Sequence, residues 1–208
     1  MPAEAPVAFE PGGSVLRLLA GRAQERPEHP FLWVEERGPW TLGALADAAA
    51  RLTAALCEAG VEPGARVLLR IGNDARFLPA LAAAWSAGAV PVVMHPAAPA
   101  SEADRVAATF GITAALTAGD TARSAADGAV GEAASGGGGL GVTALAVPLP
   151  ALAPPTGGAV EMVVPAVDLG ADALILLTSG STGEPKGVVL SHGAVWANLR
   201  ATVSAFRS

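Results

Sequence analysis

The sequence predicts an α/β protein in which a mainly parallel sheet is flanked by helices, and three observations carry that expectation. Short apolar runs bounded by glycine alternate along the chain with amphipathic stretches about 10–15 residues long, and strands separated by helices pair in parallel. The run Asp172-Ala-Leu-Ile-Leu-Leu177 is apolar on both faces, as a central parallel strand covered by helices must be. Of the 208 residues, 51% are hydrophobic and a further 25 are glycine. That is enough apolar material for a core without cross-links, and it excludes disorder of the whole chain.

The elements follow in order. Ser14 is placed to cap a helix from Val15 to about Gln24, with Leu16, Leu19 and Ala20 on one face and Pro27 beyond its end. Phe31–Val34 reads as a short strand. Leu45, Ala49, Leu52 and Leu56 form one helical stripe, and Gly60 stands where a left-handed residue ends that helix. Arg66–Ile71 is a strand between Gly64 and Gly72. A helix from Asp74 to about Ala87 and a strand over Val90–Met94 come next. Pro91 belongs at an edge or at a strand start, because it donates no ladder hydrogen bond. Ser101-Glu-Ala-Asp104 reads as a helix N-terminus with an acidic first turn. That helix ends at Gly111, and Ile112–Leu116 is another strand.

Composition then changes. Thr121–Gly141 runs through small residues into four consecutive glycines, Gly136–Gly139, a flexible connector by composition. Val142–Val147 has room for a short strand, after which Pro148, Pro150, Pro154, Pro155 and Pro165 favour an extended linker. The expected division is a first α/β segment over residues 1–120, a Gly/Pro-rich connector over 121–170, and a strand, loop and helix of the same domain over 171–208.

Several functional classes are excluded on composition. A formal charge of −6 argues against non-specific nucleic-acid binding, which needs a basic face. The single cysteine, Cys57, rules out an intramolecular disulfide framework and a structural zinc cluster. Glu4 and Glu10 stand where a secretion leader needs positive charge. The apolar stretch from Phe77 to His95 is divided by Pro79, Gly88 and Pro91 into a helix, a turn and a strand, so it does not read as a membrane span. The expectation is a soluble, cytoplasmic protein.

The chemistry concentrates in Thr178-Ser-Gly-Ser-Thr-Gly-Glu-Pro-Lys-Gly187, directly after the apolar strand. Four hydroxyls, three glycines and a lysine fall within ten residues. Glycines let backbone N–H groups approach an anion, hydroxyls add neutral donors, and a lysine supplies a compact charge. Lys186 is the one lysine among 13 basic residues, so whatever favours arginine elsewhere did not apply there. The competing reading is a Ser/Gly-rich surface turn between two strands. Other signatures fail. The P-loop string G-x-x-x-x-G-K-[ST] meets Pro185 where its second glycine should be. The dinucleotide pattern G-x-G-x-x-G is absent from this loop. No G-x-S-x-G elbow surrounds Ser179 or Ser181.

Thr178–Gly187 resembles the phosphate-loop signature of the adenylate-forming superfamily of acyl-CoA synthetases, peptide-synthetase adenylation domains and luciferases. Trp40-Thr-Leu-Gly-Ala-Leu45 resembles the segment opening the family's first long helix, and Trp85-Ser-Ala-Gly-Ala-Val-Pro-Val-Val93 its second core motif. Gly60-Val-Glu-Pro-Gly-Ala-Arg-Val67 and Asn73 fit the stretch between them. The resemblance implies the N-terminal part of that fold, incomplete here. It also implies activation of a carboxylic acid with ATP and Mg2+ to an acyl-adenylate, releasing pyrophosphate. Transfer to the thiol of CoA or of a carrier-protein phosphopantetheine arm would follow.

By the same resemblance Thr178, Ser179, Gly180, Ser181, Thr182, Gly183 and Lys186 would grip the β- and γ-phosphates. The family's magnesium-placing Glu, ribose-binding Asp and catalytic Lys belong to later motifs, and the sequence stops about twenty residues after the loop. No catalytic or metal-binding residue is therefore assigned within these 208 residues. The chain alone is expected to be inactive, as a fragment or truncated form. A non-catalytic docking module or one half of a split enzyme is the alternative, with self-association or a complementing chain across the incomplete sheet.

The remaining candidates are weaker. For His192, at the start of the last helix, two readings stay open: a residue on the acyl or adenine side of the pocket, or an incidental histidine beside the capping Ser191. His29 and His95 read as surface or turn residues. Cys57 reads as a small buried thiol. Trp33, Trp40, Trp85 and Trp196 lack basic neighbours and read as packing anchors.

Overall fold

Helix ends are set by local chemistry that the sequence spells out. The computed structural model describes residue 9 and residues 12–34, 38–118, 143–146, 161–178 and 184–206. Helix α1 (Val15–Glu25) starts where the Ser14 hydroxyl accepts from the Arg17 N–H at 3.2 Å. Thr41 does the same for Ala44 at the start of α2 (Leu42–Glu58). The end of α2 is closed by two bonds, Gly60 N–H to the Cys57 carbonyl and Val61 N–H to the Leu56 carbonyl. Gly60 adopts φ +80° to allow this, and Val61 and Leu56 are buried in the same cluster. Helix α3 (Phe77–Ser86) ends identically, with Gly88 at φ +71° and Ala89 N–H bonded to the Ala84 carbonyl.

Two helix starts differ from expectation. Helix α3 begins at Phe77 rather than at Asp74, because the Asp74 carboxylate accepts from the Arg76 backbone N–H at 2.9 Å and from its guanidinium at 2.7 Å. That fixes residues 74–76 as a turn. Helix α4 (Ala100–Phe110) has Pro99 at its cap, whose carbonyl accepts from Glu102 and Ala103. Ser101 thus lies inside the helix and caps nothing; Glu102 is the acidic residue of the first turn, and Gly111 ends the helix at φ +61°.

Strands β1 (Pro30–Val34) and β2 (Gly38–Thr41) form a small antiparallel sheet of their own. The main sheet contains β3 (Arg66–Arg70), β4 (Val90–Val93), β5 (Ile112–Thr117), β6 (Thr143–Ala146), β7 (Asp172–Thr178) and β8 (Lys186–Ser191), in the order β6-β5-β3-β4-β7-β8. Every pairing is parallel except the last, in which β8 runs against β7. Pro91 sits inside the sheet, not at its edge, yet at a strand start: pairing of β4 with β7 begins at Val92↔Ile175. Val90 and Met94 donate toward β3, so alternation aims the missing donor of Pro91 at a place where β7 has not yet joined.

Alternation along the strands splits the core. Val67, Leu69, Ala114 and Leu116 meet Leu52 and Leu56 of α2 and Ala80 and Ala83 of α3 on one face. Leu68, Val92, Ala115 and Ile175 meet Val106 and Ala107 of α4 on the other. Helix α1 packs outside α2 and α3, with Leu16, Ala20, Leu42, Trp85 and Met162 in a third cluster. The last described helix, α5 (His192–Ala205), lies on this side, with Val195 against that cluster.

Three expectations fail on burial. Strand β7 is not a central parallel strand: one neighbour is antiparallel, and Leu176 is 39% exposed. Cys57 is exposed, because it lies about 100° around α2 from Leu56, off the buried stripe. Trp33 is 76% exposed on β1 and anchors nothing, whereas Trp40, Trp85 and Trp196 are buried. His29 and His95 are exposed as expected. Most of the 121–170 connector lies outside the described residues, apart from β6 and residues 161–170. Within the described residues no helix is long and apolar enough to cross a membrane.

Candidate functional site

The candidate loop joins two antiparallel strands. Thr178 ends β7 and faces Lys186, the first residue of β8, and the Thr178 hydroxyl donates to the Lys186 carbonyl at 3.4 Å. Both residues are exposed. Ser179, Gly180, Ser181, Thr182 and Gly183 lie outside the described residues. The two ends of the loop are thereby brought together, with an ammonium and a hydroxyl on a solvent-facing edge. That donor set is chemically suited to an anion, but strands on both sides are also what a plain hairpin turn would have.

Gly187 was not singled out in the sequence for its surroundings, and its position is tightly constrained. It pairs with Leu177, and a Cβ there would stand 2.6 Å from Ile175 Cγ2 and 3.2 Å from the Phe110 ring. The first residues of β8 therefore press onto α4. No sequence signal other than the glycine itself marks this contact.

His192 occupies the far end of the hairpin. Its N–H donates to the Ala171 carbonyl at 3.0 Å, and Gly193 donates to the Leu169 carbonyl at 2.8 Å. Ser191 caps α5 by accepting from Ala194. The imidazole lies 5.7 Å from the Trp85 indole, whose Nε1 donates to the buried Ala173 carbonyl at 2.7 Å. Burial of the ring holds the His192 pKa below the ordinary imidazole value. Six residue steps along β8 separate His192 from Lys186, roughly 20 Å at strand rise, so these two candidates are not brought together. Among the described residues no group of three His, Cys, Asp or Glu side chains could hold a metal ion.

Known proteins resemble this chain over most of its length. The family of AMP-binding enzymes matches residues 19–207. A phenyloxazoline synthase, MbtB, of Mycobacterium sp. strain MCS is 34% identical over 167 residues, which are 78% of this chain and 12% of that protein. Nonribosomal peptide synthetase 8 of Aspergillus fumigatus is 30% identical over 184 residues, 88% of this chain and 2% of that one. In structure, the fatty acyl-adenylate ligase from L. pneumophila, crystallised with acyl adenylate and pyrophosphate, superposes with a TM-score of 0.70 at 23% identity. That match covers 93% of this chain and 33% of the ligase. The chain thus spans a small part of the curated relatives and a third of the solved enzyme. It belongs to the AMP-binding, adenylate-forming enzyme family and corresponds to the N-terminal portion of its fold.

Proposed function

We propose that these 208 residues supply the phosphate-gripping part of an enzyme that activates a carboxylic acid as its acyl-adenylate. The observation that carries the reading is the Thr178–Lys186 pairing, which closes the hydroxyl- and glycine-rich loop at its base. Thr178, Ser179, Ser181, Thr182 and Lys186 would donate to the β- and γ-phosphates of ATP, with Gly180 and Gly183 admitting the backbone close to them. Bound MgATP supplies the electrophilic phosphorus and the pyrophosphate leaving group. The chain's own contribution is to hold charge on that leaving group, an electrostatic effect often the largest in such reactions. Each charge-assisted hydrogen bond is worth about 1.5–3 kcal/mol.

His192 packs beside Trp85 at the start of α5, about a strand length from the loop, a distance that bears on the phosphates and not on the acyl or adenine side of the pocket. Residues 1–120 and 171–208 are read as one domain interrupted by the 121–170 connector, in a cytoplasmic protein. The acyl group would pass to the thiol of CoA or of a carrier protein. The chain by itself is proposed to be inactive, since the later motifs that place magnesium, ribose and the catalytic lysine are not among its residues.

A second reading, a docking module or one half of a split enzyme, is favoured by one observation. Leu176 and Val188 face each other across β7 and the edge strand β8 and are 39% and 49% exposed, an apolar edge suited to a complementing chain or a second copy.

The reading is tested by the melting temperature of the chain in millimolar MgATP and by pyrophosphate exchange with a panel of acids. MgATP should raise the melting temperature, Lys186→Ala should remove the rise, and exchange should be absent. An equal rise in Lys186→Ala would reassign the loop as a structural turn. Robust exchange would overturn the inactivity of the isolated chain.

A further inference from the structure

Phe110 is the last residue of α4, and its half-buried ring lies against the start of β8. A Cβ on Gly187 would stand 3.2 Å from that ring and 2.6 Å from Ile175 Cγ2. Ring and strand can lie this close only because residue 187 carries no side chain. Three contacts hold Phe110 itself. Gly111, at φ +61°, closes the helix by donating to the Ala107 carbonyl. The Arg66 guanidinium donates to the Phe110 carbonyl at 3.1 Å, tying the helix end to β3. The side chain packs against the cluster containing Leu68, Val92 and Ile175. Lys186 immediately precedes Gly187, and its pairing with Thr178 fixes it from the β7 side. Successive strand residues point to opposite faces, so the Lys186 side chain and the Phe110 ring stand on opposite sides of β8.

We propose, resting on the phosphate-binding role given to the loop above, that Phe110 is a positioning residue for Lys186. Its ring supports β8 under Gly187 and thereby sets where the ammonium stands at the base of the loop. Pairing with β7 sets the register of β8, whereas its height above α4 is set by whatever fills the space below Gly187. The glycine has no side chain to fill it, so the ring does. Donors to a phosphate lose effect steeply when displaced by about 1 Å, so a gap at this point is felt at the ammonium although Phe110 touches no phosphate. A smaller side chain at position 110 opens that gap, and its neighbours collapse into it only in part.

MgATP titrated into the isotope-labelled chain and its variants tests this, with affinity read from the Lys186 amide and stability from urea unfolding. Phe110→Leu should weaken MgATP binding about threefold and Phe110→Ala about tenfold, the latter being the worth of one charge-assisted hydrogen bond. Phe110→Leu carries the test alone if the alanine variant fails to fold. Leu52→Val, in the cluster on the other face of the sheet, is the control: it should lower the urea midpoint and leave the affinity unchanged. Folded Phe110 variants that bind MgATP as tightly as the parent overturn the proposal and leave the phosphate role of the loop intact. Equal weakening in Leu52→Val overturns it too, because general loosening then accounts for the loss. A parent chain whose Lys186 amide does not move with MgATP overturns the phosphate role, and the positioning role falls with it.

Discussion

The indole of Trp85 stands 5.7 Å from the imidazole of His192, inclined to it by 57°, while its Nε1 donates to the Ala173 carbonyl at 2.7 Å. One side chain on α3 thus touches both the start of β7, the first strand of the hairpin that carries the candidate loop, and the start of α5, the helix that follows that hairpin. Motifs more than eighty residues apart in sequence are joined by this ring.

Trp85→Phe keeps an aromatic face beside His192 but leaves the buried Ala173 carbonyl without its donor. The expected loss is about 1–3 kcal/mol, read as a lower urea midpoint with an unchanged m-value. Trp85→Ala also opens a cavity and should cost more, about 3–5 kcal/mol. A Phe variant as stable as the parent would show that the Nε1 bond contributes nothing.

His192 makes the chain sensitive to acid. Its folded pKa is depressed by burial below the ordinary value of 6.5, so the unfolded chain takes up the proton first. Stability is then complete above pH 6.5 and declines as pH falls from there through the folded pKa. The melting temperature should drop over that window, and His192→Gln should flatten the drop. An unchanged slope in the variant would place the titrating group elsewhere.

Gly187→Ala should destabilise the β8–α4 contact, because the new methyl would meet Ile175 Cγ2 at 2.6 Å and the Phe110 ring at 3.2 Å. Overpacking of this kind costs about 1–3 kcal/mol. Shortening the neighbour with Ile175→Val in the same chain should recover part of the loss, measurable by urea unfolding of the double variant.

Legibility in the sequence tracked how local the governing physics is. Ser14, Gly60, Gly111 and Ser191 announce their helix ends because a cap needs only its own turn. Arg66–Arg70, Val90–Val93 and Ile112–Thr117 were legible for the same reason, as apolar runs between turn residues. Strand β2 was hidden, since Gly38-Pro39 reads as a turn and pairs only because β1 is beside it. Strand β8 was legible only in the competing reading of a turn between two strands: the residues Lys186–Ser191 acquire their strand from the antiparallel partner β7. Burial was the least legible property. Trp33 and Cys57 have core-like chemistry but lie on the wrong side of their elements, and the Trp85–His192 contact depends on two distant segments that no periodicity relates.

At the base of the account stands the claim that the segment from Thr178 to Lys186 receives the phosphates of ATP. Titration of the isotope-labelled chain with MgATP, followed by amide resonances, addresses it most directly. The account predicts millimolar binding, with the largest shifts in Thr178–Lys186 and little change at His192. Saturable shifts clustered elsewhere with this segment unmoved, or no response at any residue, would contradict it.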